Sequence, residues 1–161
     1  MRYHHVDVFT DRPYGGNSLA VFPDADALTW GRMRAITREL RHFESVFLLR
    51  DGSPAHPRRA RARVFDLTGE LDFAGHPLIG AAAVLHALHG AADHEAWTLR
   101  LPARTVEVTT ERRGPGRYAS LLDQGLPPSS AAPPRRGSRP CSPSNRTTWI
   151  PACRRRSSPS A

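Results

Sequence analysis

The sequence of 161 residues predicts an α+β protein in which several strands surround one central helix. Two observations point to this class. Residues 77–88 are apolar or small except for His86, as in a helix that is buried on most sides. Short segments with the alternation or the apolar runs of strands occupy much of the remaining chain up to residue 122. A mixed or antiparallel sheet that curls around the central helix would cover it on several sides.

The first predicted elements follow from residue alternation and from turn chemistry. Polar and apolar residues alternate over residues 4–9, which is typical of a half-buried strand. A turn cluster with two glycines at 11–17 precedes a second strand over 19–22. Thr29 can cap a helix, because the next apolar residues recur at helical spacing: Met33, Ile36 and Leu40.

The later elements are predicted from apolar runs and their boundaries. The segment 51–60, which contains Gly52 and two prolines, separates two strands and is predicted to be a loop. The central helix of residues 77–88 has its stop signal at Gly90. The further strands are predicted at 43–49, 62–67, 97–101, 105–110 and 118–122.

The composition changes sharply near residue 125 and predicts two regions. Residues 1–124 carry 16 arginines and 15 acidic residues, whereas residues 125–161 carry 7 arginines, no acidic residue and 8 of the 15 prolines. A segment with so few large apolar residues buries too little surface to offset its ordering entropy. We therefore predict a folded lobe at 1–125 and a disordered tail rich in Pro, Arg and Ser at 126–161.

Several functional classes are excluded or disfavoured by composition. The chain has no lysine, which excludes a Schiff-base lysine and a P-loop lysine within it. No cofactor or metal motif is present, and the tail residues Cys141 and Cys153 are expected to be free thiols. The tail arginines are dispersed around one aromatic residue, Trp149, so we expect no specific nucleic-acid binding.

The predicted cellular location follows from two further absences in the sequence. No apolar run of about 18 residues is present, so we expect no membrane span. The sequence begins with a strand pattern rather than a signal-peptide core, and this predicts a cytoplasmic protein.

A candidate binding site lies where a strand-like segment meets the central helix. Gly75 permits close backbone approach, and Pro77 suits a first helical turn because its missing N–H costs nothing there. The unpaired N–H groups and positive dipole end beside His76 would suit a carboxylate. From the bare sequence, a cap or a satisfied core histidine is the favoured interpretation of His76 over a binding residue. His86 and His89, three residues apart, are interpreted as stabilising the C-terminal dipole rather than binding metal.

Three separated motifs carry a family resemblance: GGNSLAV at 15–21, FES at 43–45 and ELDFAGHPLIGAA at 70–82. They resemble the PhzF-like family of phenazine-biosynthesis isomerases, within the diaminopimelate-epimerase-like superfamily. The resemblance implies one lobe of a two-lobed fold with the active site between the lobes. It covers residues 3 to about 125. From Leu126 onward the sequence departs from the family, with a composition expected of out-of-frame reading of a GC-rich gene.

The resemblance also implies roles for individual residues. Glu44 matches the family's general acid and base, which moves a proton between carbons of the substrate. Gly75 and His76 match positions that bind the substrate. Asp7 and Asn17 match family motif positions too, and are read either as substrate-binding or as purely structural, since Asn after two glycines suits a turn. From position alone, Glu44 would be an exposed and inert glutamate.

The function implied by the resemblance is cofactor-free proton transfer on a small carboxylic acid by a PhzF-like isomerase in biosynthesis. Superfamily racemases and epimerases use a pair of cysteines, and residues 1–124 contain none, which favours the glutamate-based branch. The resemblance allows a homodimer, as in relatives. The alternative is a catalytically inactive, truncated lobe of such an enzyme.

Overall fold

The computed structural model describes residues 1–52 and 57–123, together with the backbone of 148–150 and 154–157. The described chain forms ten strands and two helices. In chain order they are β1 (Arg2–Val8), β2 (Asn17–Phe22), α1 (Trp30–Leu40), β3 (Glu44–Arg50), β4 (Arg59–Asp66), β5 (Glu70–Leu71), α2 (Gly75–His89), β6 (His94–Arg100), β7 (Thr105–Gly114), β8 (Arg117–Asp123), β9 (Thr148–Ile150) and β10 (Arg154–Ser157).

The strands form one mixed sheet that surrounds α2. The strand order is β10-β1-β2-β3-β4-β6-β7-β8-β9, and the short β5 pairs with β4. The β2–β3 and β4–β6 pairs are parallel, while the other pairs are antiparallel. The helix α2 contacts β1, β2, β3, β6, β7, β8 and β9, so the sheet curls around it. The predicted α+β class, with a sheet curled around a central apolar helix, is confirmed.

Alternation along the strands divides the apolar residues between the two helices. On β2, Leu19 and Val21 belong to the core around α2, whereas Ala20 and Phe22 belong to a second core around α1. Successive side chains of a strand point to opposite faces, so one sheet region packs a helix on each side. In α2, all ten residues from Pro77 to His86 are buried, as the uninterrupted apolar pattern predicted.

The second core fixes α1 against the outer face of the sheet. The Thr29 hydroxyl accepts a hydrogen bond from the Arg32 N–H at 3.3 Å, which confirms Thr29 as the N-cap. The helix ends at Arg41 in a left-handed conformation with φ of 53°. Aromatic stacking links the strands beneath it, with Phe22 and Phe47 rings 4.6 Å apart.

Both edges of the sheet are paired by segments from the predicted tail. β10 pairs with β1, and β9 pairs with β8, both antiparallel. The structure describes only the backbone of these seven residues of the tail, and the rest of 126–161 lies outside the described residues, as does the predicted boundary at Gly125. An edge strand offers unpaired N–H and C=O groups, and an extended segment can pair with them whatever side chains that segment carries.

Within the described residues, no helix is long and apolar enough to span a bilayer.

A buried polar network holds the C-terminal end of α2. His86 is fully buried, with Nε2 at 2.9 Å from the Ala92 carbonyl oxygen and Nδ1 at 2.7 Å from the Thr110 hydroxyl. Burial lowers the pKa of His86, so the ring is neutral: Nε2–H donates to the carbonyl, and Nδ1 accepts from the hydroxyl. The interpretation of His86 as a charge on the helix dipole is therefore wrong, because a neutral ring carries none.

The lowered pKa of His86 makes folding stability depend on pH. The unfolded chain binds a proton near the ordinary pKa of 6.5, whereas the folded chain resists it. The stability from this group is therefore complete above about pH 6.5 and is lost as pH falls toward the folded pKa. His42, whose pKa burial also lowers, adds a change of the same sign. Urea unfolding should show lower stability at pH 5.5 than at 7.5.

Substitution identifies the source of this pH dependence. His86→Gln should reduce the stability difference between the two pH values, whatever it does to overall stability. His89→Gln, at an exposed position three residues later, is the matched control and should leave the difference unchanged. Asp66 and Glu95, whose pKa values are lowered by hydrogen bonds, stay ionised throughout this range. An undiminished difference in His86→Gln would show that another group controls it.

Candidate active site

The candidate site lies at one end of the sheet, where β3 and α2 begin. Glu44 is the first residue of β3 and alternates with Val46 and Leu48, which pack in the core around α2. His76 is the second residue of α2. The two side chains meet with Nε2 of His76 at 3.0 Å from Oε2 of Glu44, and they are only 16% and 15% exposed. The structure thus brings together the two residues for which the sequence predicted chemistry.

This pair has hydrogen-bonding capacity that the described protein atoms do not use. Oε2 of Glu44 and Nε2 of His76 are both buried, and neither has a partner with hydrogen-bond geometry among the described residues. Their 3.0 Å separation makes an electrostatic contact, an ion pair when His76 is protonated, without the angles of a hydrogen bond. A buried polar group without a hydrogen bond costs about 1–3 kcal/mol. A ligand that bonds to either atom would offset that cost.

The start of α2 adds an electrostatic preference for an anion. Its N-cap is Ala74, which has no side-chain hydrogen bond to offer, and the first turn contains no acidic residue. The first N–H groups of a helix have no partner within the helix, and the positive end of its dipole favours negative charge. The backbone N–H groups of Gly75 and His76 are the donors at this end, since Pro77 has none.

The other two predicted substrate-binding residues lie on different faces of the sheet. Asn17 alternates with Leu19, which is paired in register with Glu44, so Asn17 lies on the α2 face at the same end of the sheet. Asp7 lies on the opposite face, and its Oδ2 accepts a hydrogen bond from the Tyr14 N–H at 3.0 Å. This contact closes the β1–β2 turn. It corresponds to the purely structural role that was the alternative interpretation of Asp7.

Sequence reasoning missed a chain of three side chains behind the site. The Ser18 hydroxyl lies 2.9 Å from Nε2 of His5 and 2.8 Å from Nδ1 of His42. Burial, and then the neighbouring His5, lower the pKa of His42. This row of three side chains joins β1 and β2 to His42, which lies two positions before Glu44. No spacing in the sequence indicates it, because its members come from three separate segments.

The motif that carries His76 is tied to the rest of the fold by Glu70. Arg63 donates two hydrogen bonds of 2.7 Å to the Glu70 carboxylate, and the Trp30 indole N–H donates a third at 2.9 Å. These contacts link α1, β4 and β5. They therefore fix the start of the segment that leads into α2. Two-point Arg–carboxylate pairing adds geometric specificity as well as energy.

Sequence reasoning also missed Phe9, whose ring lies beside His76. Its ring centroid lies 6.2 Å from that of His76. Its backbone has a positive φ of 65°, which a phenylalanine rarely adopts. No local pattern marks this conformation. The two glycines of the following turn are the nearest indication of a tight backbone approach.

The arrangement suits proton exchange with a bound anion. A carboxyl group and an imidazole ring face each other at a helix start that favours negative charge, within a fold of one sheet around one helix. Within the described ranges, no cluster of three or more His, Cys, Asp or Glu side chains could hold a metal ion.

The chain belongs to the phenazine biosynthesis-like protein family, whose model matches residues 6–138. The predicted family is thus confirmed. The match runs past Leu126, so the departure from the family that we expected at that residue was placed too early.

Curated relatives and solved structures agree with this assignment. The chain is 38% identical over 126 residues to a trans-2,3-dihydro-3-hydroxyanthranilate isomerase of Pseudomonas aeruginosa, covering 78% of this chain and 43% of the relative. It matches the structure of a predicted epimerase of Pseudomonas aeruginosa with a TM-score of 0.72 and 52% identity, over 77% of this chain and 43% of that one. A PhzF-family protein of Bacillus anthracis, at 24% identity and a TM-score of 0.64, shares the fold over 76% of this chain and 40% of its own.

These matches cover only part of each relative. The chain spans less than half the length of the curated isomerase and of the predicted epimerase. The relatives are named as an isomerase, a predicted epimerase and a PhzF-family protein.

Proposed function

We propose that this chain forms one wall of an isomerase site that moves a proton between carbons of a small carboxylic acid. The observation that carries the proposal is the Glu44–His76 pair, whose buried polar atoms face each other without hydrogen-bond geometry at the start of α2. In this proposal Glu44 is the general acid and base. Proton transfer by a positioned side chain typically contributes about 10²–10⁴-fold to a rate.

The substrate carboxylate would lie at the α2 N-terminus. The N–H groups of Gly75 and His76 would donate to it, and a protonated His76 ring would add a charged donor. Asn17, at the same end of the sheet, is proposed as a further polar contact. No step of this proton transfer requires a cofactor or a metal. Asp7 would act on the site through the turn that it closes rather than by contact with substrate.

The named activity of the relatives supplies the proposed substrate class. Trans-2,3-dihydro-3-hydroxyanthranilate is an unsaturated six-membered ring that bears a carboxylate. A substrate of this class presents an anion for the α2 N-terminus and carbon positions that can exchange protons. We include in the proposal a cytoplasmic location, which is expected from the sequence, and a homodimer, which the family resemblance allows.

A second candidate is that this chain binds such a carboxylate without turning it over. The observation that favours it is the 43% coverage of the curated isomerase, since the family resemblance implies a site enclosed by two lobes. Orientation of reactants can be worth about 7–11 kcal/mol of a reaction barrier. A site with one wall would lose much of that contribution and would not exclude water.

Deuterium incorporation tests both candidates. The 161-residue chain, and a fusion of its residues 1–125 to the remaining part of the Pseudomonas aeruginosa isomerase, would be incubated in D₂O with trans-2,3-dihydro-3-hydroxyanthranilate and followed by NMR. We expect enzyme-dependent exchange with the fusion and little with the chain alone. Rapid exchange by the chain alone would overturn the second candidate. A folded fusion without exchange would overturn the isomerase proposal.

A further inference from the structure

Phe9 combines a strained backbone with an exposed aromatic ring. Its φ of 65° places a bulky residue in the left-handed region, and 55% of its surface is accessible. Such a conformation is an outlier for a large side chain and persists only when the surrounding structure imposes it. Phe9 also belongs to neither hydrophobic core. Packing therefore does not account for its conformation.

Three contacts of the β1–β2 turn impose the conformation of Phe9. A Cβ atom on Gly16 would lie 2.1 Å from the carbonyl oxygen of Val8, so only glycine allows the chain to return this closely beneath Phe9. The Asp7 carboxylate accepts from the Tyr14 N–H at 3.0 Å. The Thr10 hydroxyl donates to the Arg12 carbonyl at 3.0 Å. These contacts hold both sides of Phe9.

The effect of this turn is to hold an apolar ring beside the polar pair. The Phe9 and His76 ring centroids are 6.2 Å apart, with the ring planes inclined by 51°. His76 in turn contacts Glu44 at 3.0 Å. A ligand whose carboxylate lies at the α2 N-terminus would therefore have a flat apolar surface within reach of its remaining atoms.

We propose that Phe9 determines specificity at this site by packing against the unsaturated ring of the carboxylate ligand. This inference rests on the proposed function, because it takes the α2 N-terminus as the carboxylate site. It goes further by selecting cyclic, unsaturated carboxylates over short aliphatic ones. Aromatic ring pairs contribute about 0.5–1.5 kcal/mol beyond the area they bury, which corresponds to an affinity ratio of about 2- to 12-fold.

Binding of two simple probes to the full 161-residue chain tests the inference. Benzoate carries a carboxylate and an unsaturated ring, while acetate carries the carboxylate alone. Titrations would be followed through the NMR signals of the His76 ring. In Phe9→Gly, benzoate affinity should fall about fivefold, and acetate affinity should stay within about twofold, because the carboxylate donors are unchanged. The melting temperature should rise by about 3 °C, because glycine adopts a positive φ without strain.

Tyr14→Gly is the matched control for this variant. Tyr14 lies in the same turn, has a positive φ of 63° and is 79% exposed, and among the described residues its ring contacts no other aromatic ring. The substitution keeps the N–H that binds Asp7. It should relieve backbone strain as Phe9→Gly does and leave both affinities unchanged.

The outcomes separate this inference from the function beneath it. Unchanged benzoate affinity in Phe9→Gly, with both probes bound by the unsubstituted chain, would overturn the role of Phe9 and leave the carboxylate site standing. Equal weakening of both probes together with a lower melting temperature would identify Phe9 as a structural residue and overturn its role in specificity. Failure of both probes to bind the unsubstituted chain would overturn the carboxylate site and the specificity inference together.

Discussion

Replacing Glu44 by Gln should lower the rate of substrate deuteration by about 10²–10⁴-fold in the fusion protein that carries the full site. Glutamine keeps the shape of the side chain and a carbonyl oxygen near Nε2 of His76, but it cannot accept and return a proton. Glu44 is 15% exposed and has no hydrogen bond among the described residues that the amide would break. The fold should therefore survive the substitution.

The control for this variant is Glu39→Gln. Glu39 is an exposed residue of α1, so the same change of charge there should leave the exchange rate unaltered. Both variants would be compared at equal protein concentration after their NMR spectra show the native fold. If Glu44→Gln exchanged protons as fast as the unsubstituted fusion, Glu44 would have no part in the proton transfer.

Replacing Leu78 by Ala should lower the free energy of unfolding by about 2–5 kcal/mol. Leu78 is fully buried in α2, in the core that the curled sheet surrounds. Truncation removes the transfer free energy of the side chain and leaves a cavity, since strands contact the helix on several sides and limit collapse. A loss of this size is a large share of the 5–15 kcal/mol that stabilises a typical domain.

Urea unfolding of the 161-residue chain measures the loss, and Leu67→Ala is the control. Leu67 follows β4 and is 47% exposed, so its truncation should change stability by no more than about 0.5 kcal/mol. Similar losses at both positions would mean that α2 is not the centre of the core. This result would contradict the packing of the sheet around it.

The elements were predictable because each one has a local signal. Thr29 before an amphipathic pattern marked the start of α1, and the apolar run from Pro77 to Leu88 marked α2 as buried. The pairing of the strands was not predictable from these signals. Local alternation indicates which side chains share a face of a strand, but it does not indicate which strands are neighbours in the sheet. The parallel pairing of β4 with β6 is an example that no local pattern predicts.

The tail was predicted to be disordered from its many prolines and arginines. Within it the structure describes only the backbones of β9 and β10, which pair with the sheet edges. Backbone pairing depends on unpaired N–H and C=O groups at the edge, which the composition of the tail does not record. The family match to residue 138 likewise extends beyond the change in composition.

For the candidate site, sequence motifs pointed to Glu44, Gly75 and His76. The start of α2 could also be predicted locally, because a glycine, a histidine and a proline there restrict the backbone and its hydrogen bonds. The contact between Glu44 and His76 depended on the tertiary structure, because 32 residues separate them and only the packing of α2 inside the sheet brings β3 to its N-terminus. The same holds for Phe9. Its positive φ arises from the close approach of Gly16, in the turn before β2, to Val8 at the end of β1, and no local propensity of phenylalanine favours this conformation.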